Sequence, residues 1–206
     1  MELRNTFYFQ VAVREEQKAA ARQLVEFSLR HHTVANIWDK HPTKLGQTRL
    51  LRYVGSLGEI LFADLYQLPR PTRSFGAADG QDWGQDFALE LEGGQTLRLD
   101  IKSMKRQSGA LSARYVLNIP ASQLHKPNAR TTHYCCISFH QSEQSGTVAS
   151  VLGLVNKQEI EKGEIGTLYT AGTKRIRDDQ TYFVFQEDTY EVRFGDIQSP
   201  LLTDRI

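Results

Sequence analysis

Cysteine, net charge and long apolar runs are all scarce in this chain of 206 residues. It carries two cysteines, and 25 Lys and Arg against 24 Asp and Glu leave a formal charge of +1. The two thiols, Cys135 and Cys136, are adjacent within an apolar segment, which excludes a disulfide framework or a zinc knuckle and predicts reduced core groups. Near-neutrality removes the strong positive field of a purely electrostatic nucleic-acid binder. It is compatible with a local basic groove around an acidic metal site. No apolar run approaches the roughly 18 residues needed to span a bilayer, and residues 1–10 lack a signal-peptide pattern. The expectation is therefore a cytoplasmic protein with no membrane partner. The length suits one well-buried core and is short for two catalytic domains, so residues 1–206 read as a single domain.

What is present reads as an alternation of helices and strands. Residues 13–31 predict a helix, rich in good helix formers, with Ala20, Leu24 and Phe27 at three- and four-residue steps. His31, His32, Asp39 and His41 follow, but they lack zinc-ligand spacing and read as a polar helix end before Pro42. Residues 44–67 predict a second helix whose stripe of Leu50, Val54, Leu57, Leu61 and Leu65 faces the core. A neighbouring strip holds Arg52, Gly55, Ser56 and Glu59, whose small residues would let a strand or a nucleic-acid backbone approach. Pro69 and Pro71 end this helix, and residues 76–84 read as a glycine-rich loop.

Residues 86–102 form two alternating runs about Gly93-Gly94 and predict a hairpin. A two-residue loop would mix apolar and polar faces, so an odd connection is required, taken as Gly93, Gly94 and Gln95. That register pairs Leu91 with Leu97, Leu89 with Leu99 and Phe87 with Ile101 on an apolar face. The opposite face then sets Glu90 across from Arg98, Ala88 across from Asp100, and Asp86 across from Lys102. Downstream, residues 115–119, 133–139, 147–155 and 181–185 predict strands and 157–162 a short helix. Residues 190–202 alternate weakly and read as an edge strand plus a docked end. The fold class is α/β with a mixed sheet.

Two carboxylates and an ammonium on the polar side of one ribbon carry a specific chemistry. Asp86 and Asp100 supply hard oxygen ligands suited to Mg²⁺, which keeps several waters and shares its remaining positions with phosphate oxygens. A metal there would activate water, and Lys102 would orient or help deprotonate the nucleophile. Converging carboxylates are costly unless used.

In order and context, Gly58-Glu59 on a helix, Gly84-Gln85-Asp86-Phe87 opening a hairpin and Asp100-Ile101-Lys102 on its second strand resemble the PD-(D/E)XK nucleases, typified by restriction endonucleases. The resemblance spans about residues 44–119. Gln85 stands where the namesake proline often sits, and Asp100 is the shorter of the two acids the motif allows. The resemblance implies a restriction-endonuclease-like mixed β-sheet flanked by helices. It also implies Mg²⁺, with Mn²⁺ as a substitute, bound by Asp86, Asp100, the Ile101 carbonyl and Glu59, with Glu59, Asp86, Asp100 and Lys102 as the catalytic set. Asp79 and Asp82 are rivals for Asp86 that more simply serve turn geometry.

Arg52, Ser56, Arg73, Ser103, Lys105, Arg106, Gln107 and Arg114 are the candidate DNA contacts, as cations and hydrogen-bond donors near the motif. Arg49, Arg70, Lys174, Arg175 and Arg177 could extend a groove. The leading expectation is a Mg²⁺-dependent DNA endonuclease of the type II restriction kind, acting on double-stranded DNA as a homodimer. A repair, recombination or mobile-element nuclease of the same core, and a noncatalytic nucleic-acid-binding module, stand as alternatives.

Overall fold

A computed structural model describes residues 7–31, 45–72, 85–106, 109, 111, 115–176, 180 and 182–201. The expected motif-region residues Arg73, Asp79, Asp82, Gln107 and Arg114, together with His32, Asp39, His41 and Arg177, lie outside this set. The fold is mixed α/β. A five-stranded sheet runs in the order β1 (Phe9–Ala12), β6 (Gly146–Asn156), β5 (His133–Ser142), β3 (Thr96–Lys105), β2 (Phe87–Glu90). The β3 and β5 strands are parallel and the other neighbours antiparallel. A second, antiparallel sheet has β10 (Thr189–Arg193) between β4 (Val116–Pro120) and β7 (Thr167–Tyr169), and β8 (Lys174–Ile176) and β9 (Tyr182–Val184) form a two-stranded ribbon. The helices are α1 (Glu15–His31), α2 (Leu45–Leu65), the short α3 (Ala121–Leu124) and α4 (Lys157–Glu161). No helix among the described residues is long and apolar enough to cross a membrane.

Alternation on the central strands builds two apolar layers. Cys135, Ile137 and Phe139 of β5 join Leu97, Leu99 and Ile101 of β3 beneath Leu57, Leu61 and Phe62 of α2. Tyr134 and Cys136 of β5 face the other way, onto Ile119, Leu124, Ile160 and Val192. A strand buried on both faces reads as a continuous apolar run, which is how β5 reads. Burial pushes the Cys135 thiol up to about 12 and Cys136 well above its ordinary value, so both thiols are inert in the native state.

Four expectations need correction. Val13 lies between β1 and α1 rather than in the helix, its N–H bonded to the Thr147 carbonyl at 2.8 Å. Leu50 is 45% exposed and lies outside the buried stripe, which instead takes in Ile60 and Phe62. The strand at residues 189–193 is central to its sheet, not an edge. Its alternation is weak because Glu191 is buried and ion-paired to Arg175 at 3.2 Å, putting a polar residue at an inward position.

The hairpin is the fourth. Its three-residue connection is Glu92, Gly93 and Gly94, closed by the Leu91 N–H on the Gln95 carbonyl at 2.8 Å, with both glycines at positive φ. The pairs are Phe87 with Leu99, Ala88 with Arg98, Leu89 with Leu97, and Glu90 with Thr96. The register is displaced by two residues from the expected one. A shift of two keeps every side chain on its expected face and changes every partner.

The approach of helix to sheet depends on one glycine, and it is Gly58 rather than Gly55. A Cβ on Gly58 would lie 1.8 Å from the Ser103 Oγ and 3.0 Å from its Cβ, whereas a Cβ on Gly55 would meet nothing within 4 Å. Gly58→Val is expected to destabilise by about 1–3 kcal/mol through overpacking. Gly55→Ala should stabilise by up to about 1 kcal/mol through helix propensity. Denaturant melts of the two variants test this, and equal effects at both positions would show that α2 does not rest on β3 at Gly58.

Candidate metal centre

Unequal strand lengths create the site. The ten-residue β3 is paired by the four-residue β2 only as far as Leu99, so among the described residues no strand flanks that edge from Ile101 onward. An amide at such an edge needs an acceptor. Asp86, just before β2, supplies it: its N–H donates to the Leu99 carbonyl at 2.7 Å, and its Oδ2 accepts from the Ile101 N–H at 2.7 Å. Asp86 therefore lies beside Asp100 and Ile101 instead of across from Lys102. Since the N–H and C=O of one strand residue point to the same side, the Ile101 carbonyl points along this open edge too.

Asp100 and Lys102 share a face of β3 by its two-residue period. The Lys102 Nζ donates to Asp100 Oδ2 at 2.7 Å and to Gln123 Oε1 at 2.9 Å, and sits 5.5 Å from the Tyr134 ring centroid. Two acceptors and an aromatic face thus fix a side chain that would otherwise be mobile. Gln123 escaped the sequence reading because α3 has four residues and no capping side chain, leaving no local pattern to mark it.

Glu59 follows Gly58 on α2 and is carried toward this edge by the same close contact. It is half-buried. Loss of surrounding water, then the negative charges of Asp86 and Asp100, hold its carboxyl well above the ordinary range, against a downward pull from Lys102. The charges of Asp86, Asp100 and Lys102 are thus the ones that bear on the Glu59 carboxyl. Among the described residues, no three His, Cys, Asp or Glu side chains form a ready-made ligand cage. The donor set is nevertheless of the oxygen type that Mg²⁺ takes, and its negative charges outnumber its one ammonium.

Of the expected DNA contacts that the structure describes, most are spent internally. Arg52 is buried, with Nη1 donating to Ser28 Oγ at 2.8 Å, and so ties α1 to α2. Ser56 is buried in α2, and Ser103 lies under Gly58 with its hydroxyl out of solvent. Arg106 donates to the Ser138 and Gly109 carbonyls and to Ser150 Oγ, and so ties the end of β3 to the middle of β5 and β6. Of the eight, Lys105 is the one described residue left exposed. Arg49 and Arg70 are paired to Glu26 and Asp64, and Lys174 lies over the Tyr182 ring.

Comparison with protein-family models, with curated proteins and with solved structures gives no match to this chain.

The Glu59 shift carries a stability consequence. Below the unfolded pKa of about 4.3 the carboxyl is protonated in both states and costs nothing. As pH rises beyond that value the unfolded chain ionises first, so the native state is progressively penalised. Glu59→Gln should therefore melt about 3 °C higher near neutral pH, corresponding to about 1 kcal/mol, with the gap closing toward pH 4. A gap that does not change with pH would mean that the Glu59 carboxyl is not held protonated.

Proposed function

We propose that this chain is a Mg²⁺-dependent nuclease that hydrolyses phosphodiester bonds in DNA, built on a restriction-endonuclease-like sheet. The observation that supports this most is Asp86, bonded to the Ile101 N–H, next to Asp100, which holds the Lys102 ammonium, with the charges of both acids bearing on the Glu59 carboxyl. Structural ion pairs seek balance, whereas three acids against one lysine leave negative charge for a cation to neutralise. The parallel β3 and β5 pair at the centre of a mixed sheet, covered on one face by α1 and α2, agrees with such a fold.

Asp86, Asp100 and Glu59, with the Ile101 carbonyl, would hold the metal. Bound there, Mg²⁺ would lower the pKa of a water and offset charge on the phosphoryl oxygens. The reaction is hydrolysis: the water oxygen bonds to phosphorus as the P–O ester bond breaks, one water proton is released and the departing oxygen gains one. Lys102, held by Asp100 and Gln123, presents fixed positive charge where a phosphate meets the carboxylates and can keep the water in line for attack. Asp86 contributes twice, since its bond to the Ile101 N–H fixes the strand edge that carries the other groups.

Supercoiled and linear duplex, single-stranded and branched DNA, and RNA, each with and without Mg²⁺, test the proposal. Nicking that requires Mg²⁺ and falls at least about 100-fold in Lys102→Ala and in Asp86→Ala is the expected result. Discrete bands from linear duplex would mark the dimeric restriction type, and loss of branched DNA alone would mark a resolving nuclease. Metal-independent binding without nicking would replace the proposal with a noncatalytic module. Gln123→Leu should lower kcat with little change in KM, because it loosens the ammonium without removing it; a change confined to KM would mean that Gln123 contacts substrate instead.

A further inference from the structure

We propose that Arg98 grips the phosphate adjacent to the one being cleaved, so that the site is built for a run of phosphodiesters and not for an isolated one; this inference rests on the phosphodiesterase reading. Arg98, Asp100 and Lys102 occupy alternate positions of β3 and share its polar face. Two residues along a strand span about 6.6 Å, comparable to the step between successive phosphates of one nucleic-acid strand. A phosphate seated at Asp100 and Lys102 therefore sets its neighbour within reach of Arg98.

The surroundings of Arg98 support an anion. Its backbone is pinned to Thr132, just before β5, whose hydroxyl accepts from the Arg98 N–H at 2.9 Å and whose N–H donates to the Arg98 carbonyl at 2.8 Å. The guanidinium itself makes no ion pair or side-chain hydrogen bond among the described residues, and the residue as a whole is half-buried. By contrast, Arg49, Arg70 and Arg175 each rest on a carboxylate. Glu90, which the expected register would have placed opposite, is turned to Thr96, whose hydroxyl meets both its carboxylate oxygens at 2.8 and 2.9 Å. What stands across from Arg98 is the exposed Ala88, whose methyl offers the guanidinium no acceptor. A partly desolvated cation without a counter-charge is unfavourable, and its planar fork matches the oxygens of a phosphate.

The test compares two substrates with the full-length protein in Mg²⁺: bis(p-nitrophenyl) phosphate, which has a single phosphate, and a single-stranded oligonucleotide cut at a mapped position. Arg98→Ala, confirmed folded by circular dichroism, should match the wild type on the simple diester. On the oligonucleotide it should lose about tenfold or more in kcat/KM, mainly through KM. A neutral methylphosphonate beside the scissile position should cost the wild type a similar factor and cost Arg98→Ala nothing further. If the wild type cleaves neither substrate, the phosphodiesterase reading falls and this inference with it. If the wild type is active but Arg98→Ala loses equally on both substrates, or on neither, Arg98 does not hold the neighbouring phosphate and the nuclease reading stands.

Discussion

A carboxylate accepting a backbone amide is the interaction from which the candidate centre is built. The β2 strand stops short of the length of β3, and the Asp86 side chain continues the ladder by one bond, to the Ile101 N–H. That bond fixes where the first acid stands and sets the direction of the Ile101 carbonyl, and among the described residues no strand pairs with the β3 edge beyond it. Regular pairing over the full length of β3 would have satisfied the same amide and closed the site.

The second constraint comes from the opposite layer. With hydrogen in place of a side chain at Gly58, α2 descends onto Ser103 and Ile101, and Glu59 is delivered to the edge where Asp86 and Asp100 already stand. The resulting crowding is unfavourable for the isolated chain. Proteins accept such local costs where the charge is used, and the surrounding apolar layers, with β5 buried on both faces, hold the arrangement against its own repulsion.

Much of this was legible in the sequence, and the parts that were not share a cause. Parity on the hairpin was readable because apolar residues must share a face, so Asp86 and Asp100 could be placed on the polar side. The exact partners were not readable, because frames displaced by two residues satisfy the same pattern and the glycines fit either. Helix α2 follows from periodicity and strands β5 and β6 from their β-branched and aromatic content, whereas β1 is only four residues long and sits against the start of a helix. The fates of Arg52 and Arg106 were hidden for another reason. A guanidinium near a motif looks the same in sequence whether it meets solvent or, as here, serine hydroxyls and a β5 carbonyl contributed by residues distant along the chain. Gln123 shares that difficulty, since its partner Lys102 lies 21 residues earlier.

The neighbouring thiols of β5 have a use of their own. Cys135 points into the layer beneath α2 and Cys136 into the layer behind it, and neither reacts while its wall is in place. Alkylation rates at the two sulfurs would then time the lifting of each wall separately, giving a chain with no engineered label a built-in clock for whether its two halves come apart together or in turn.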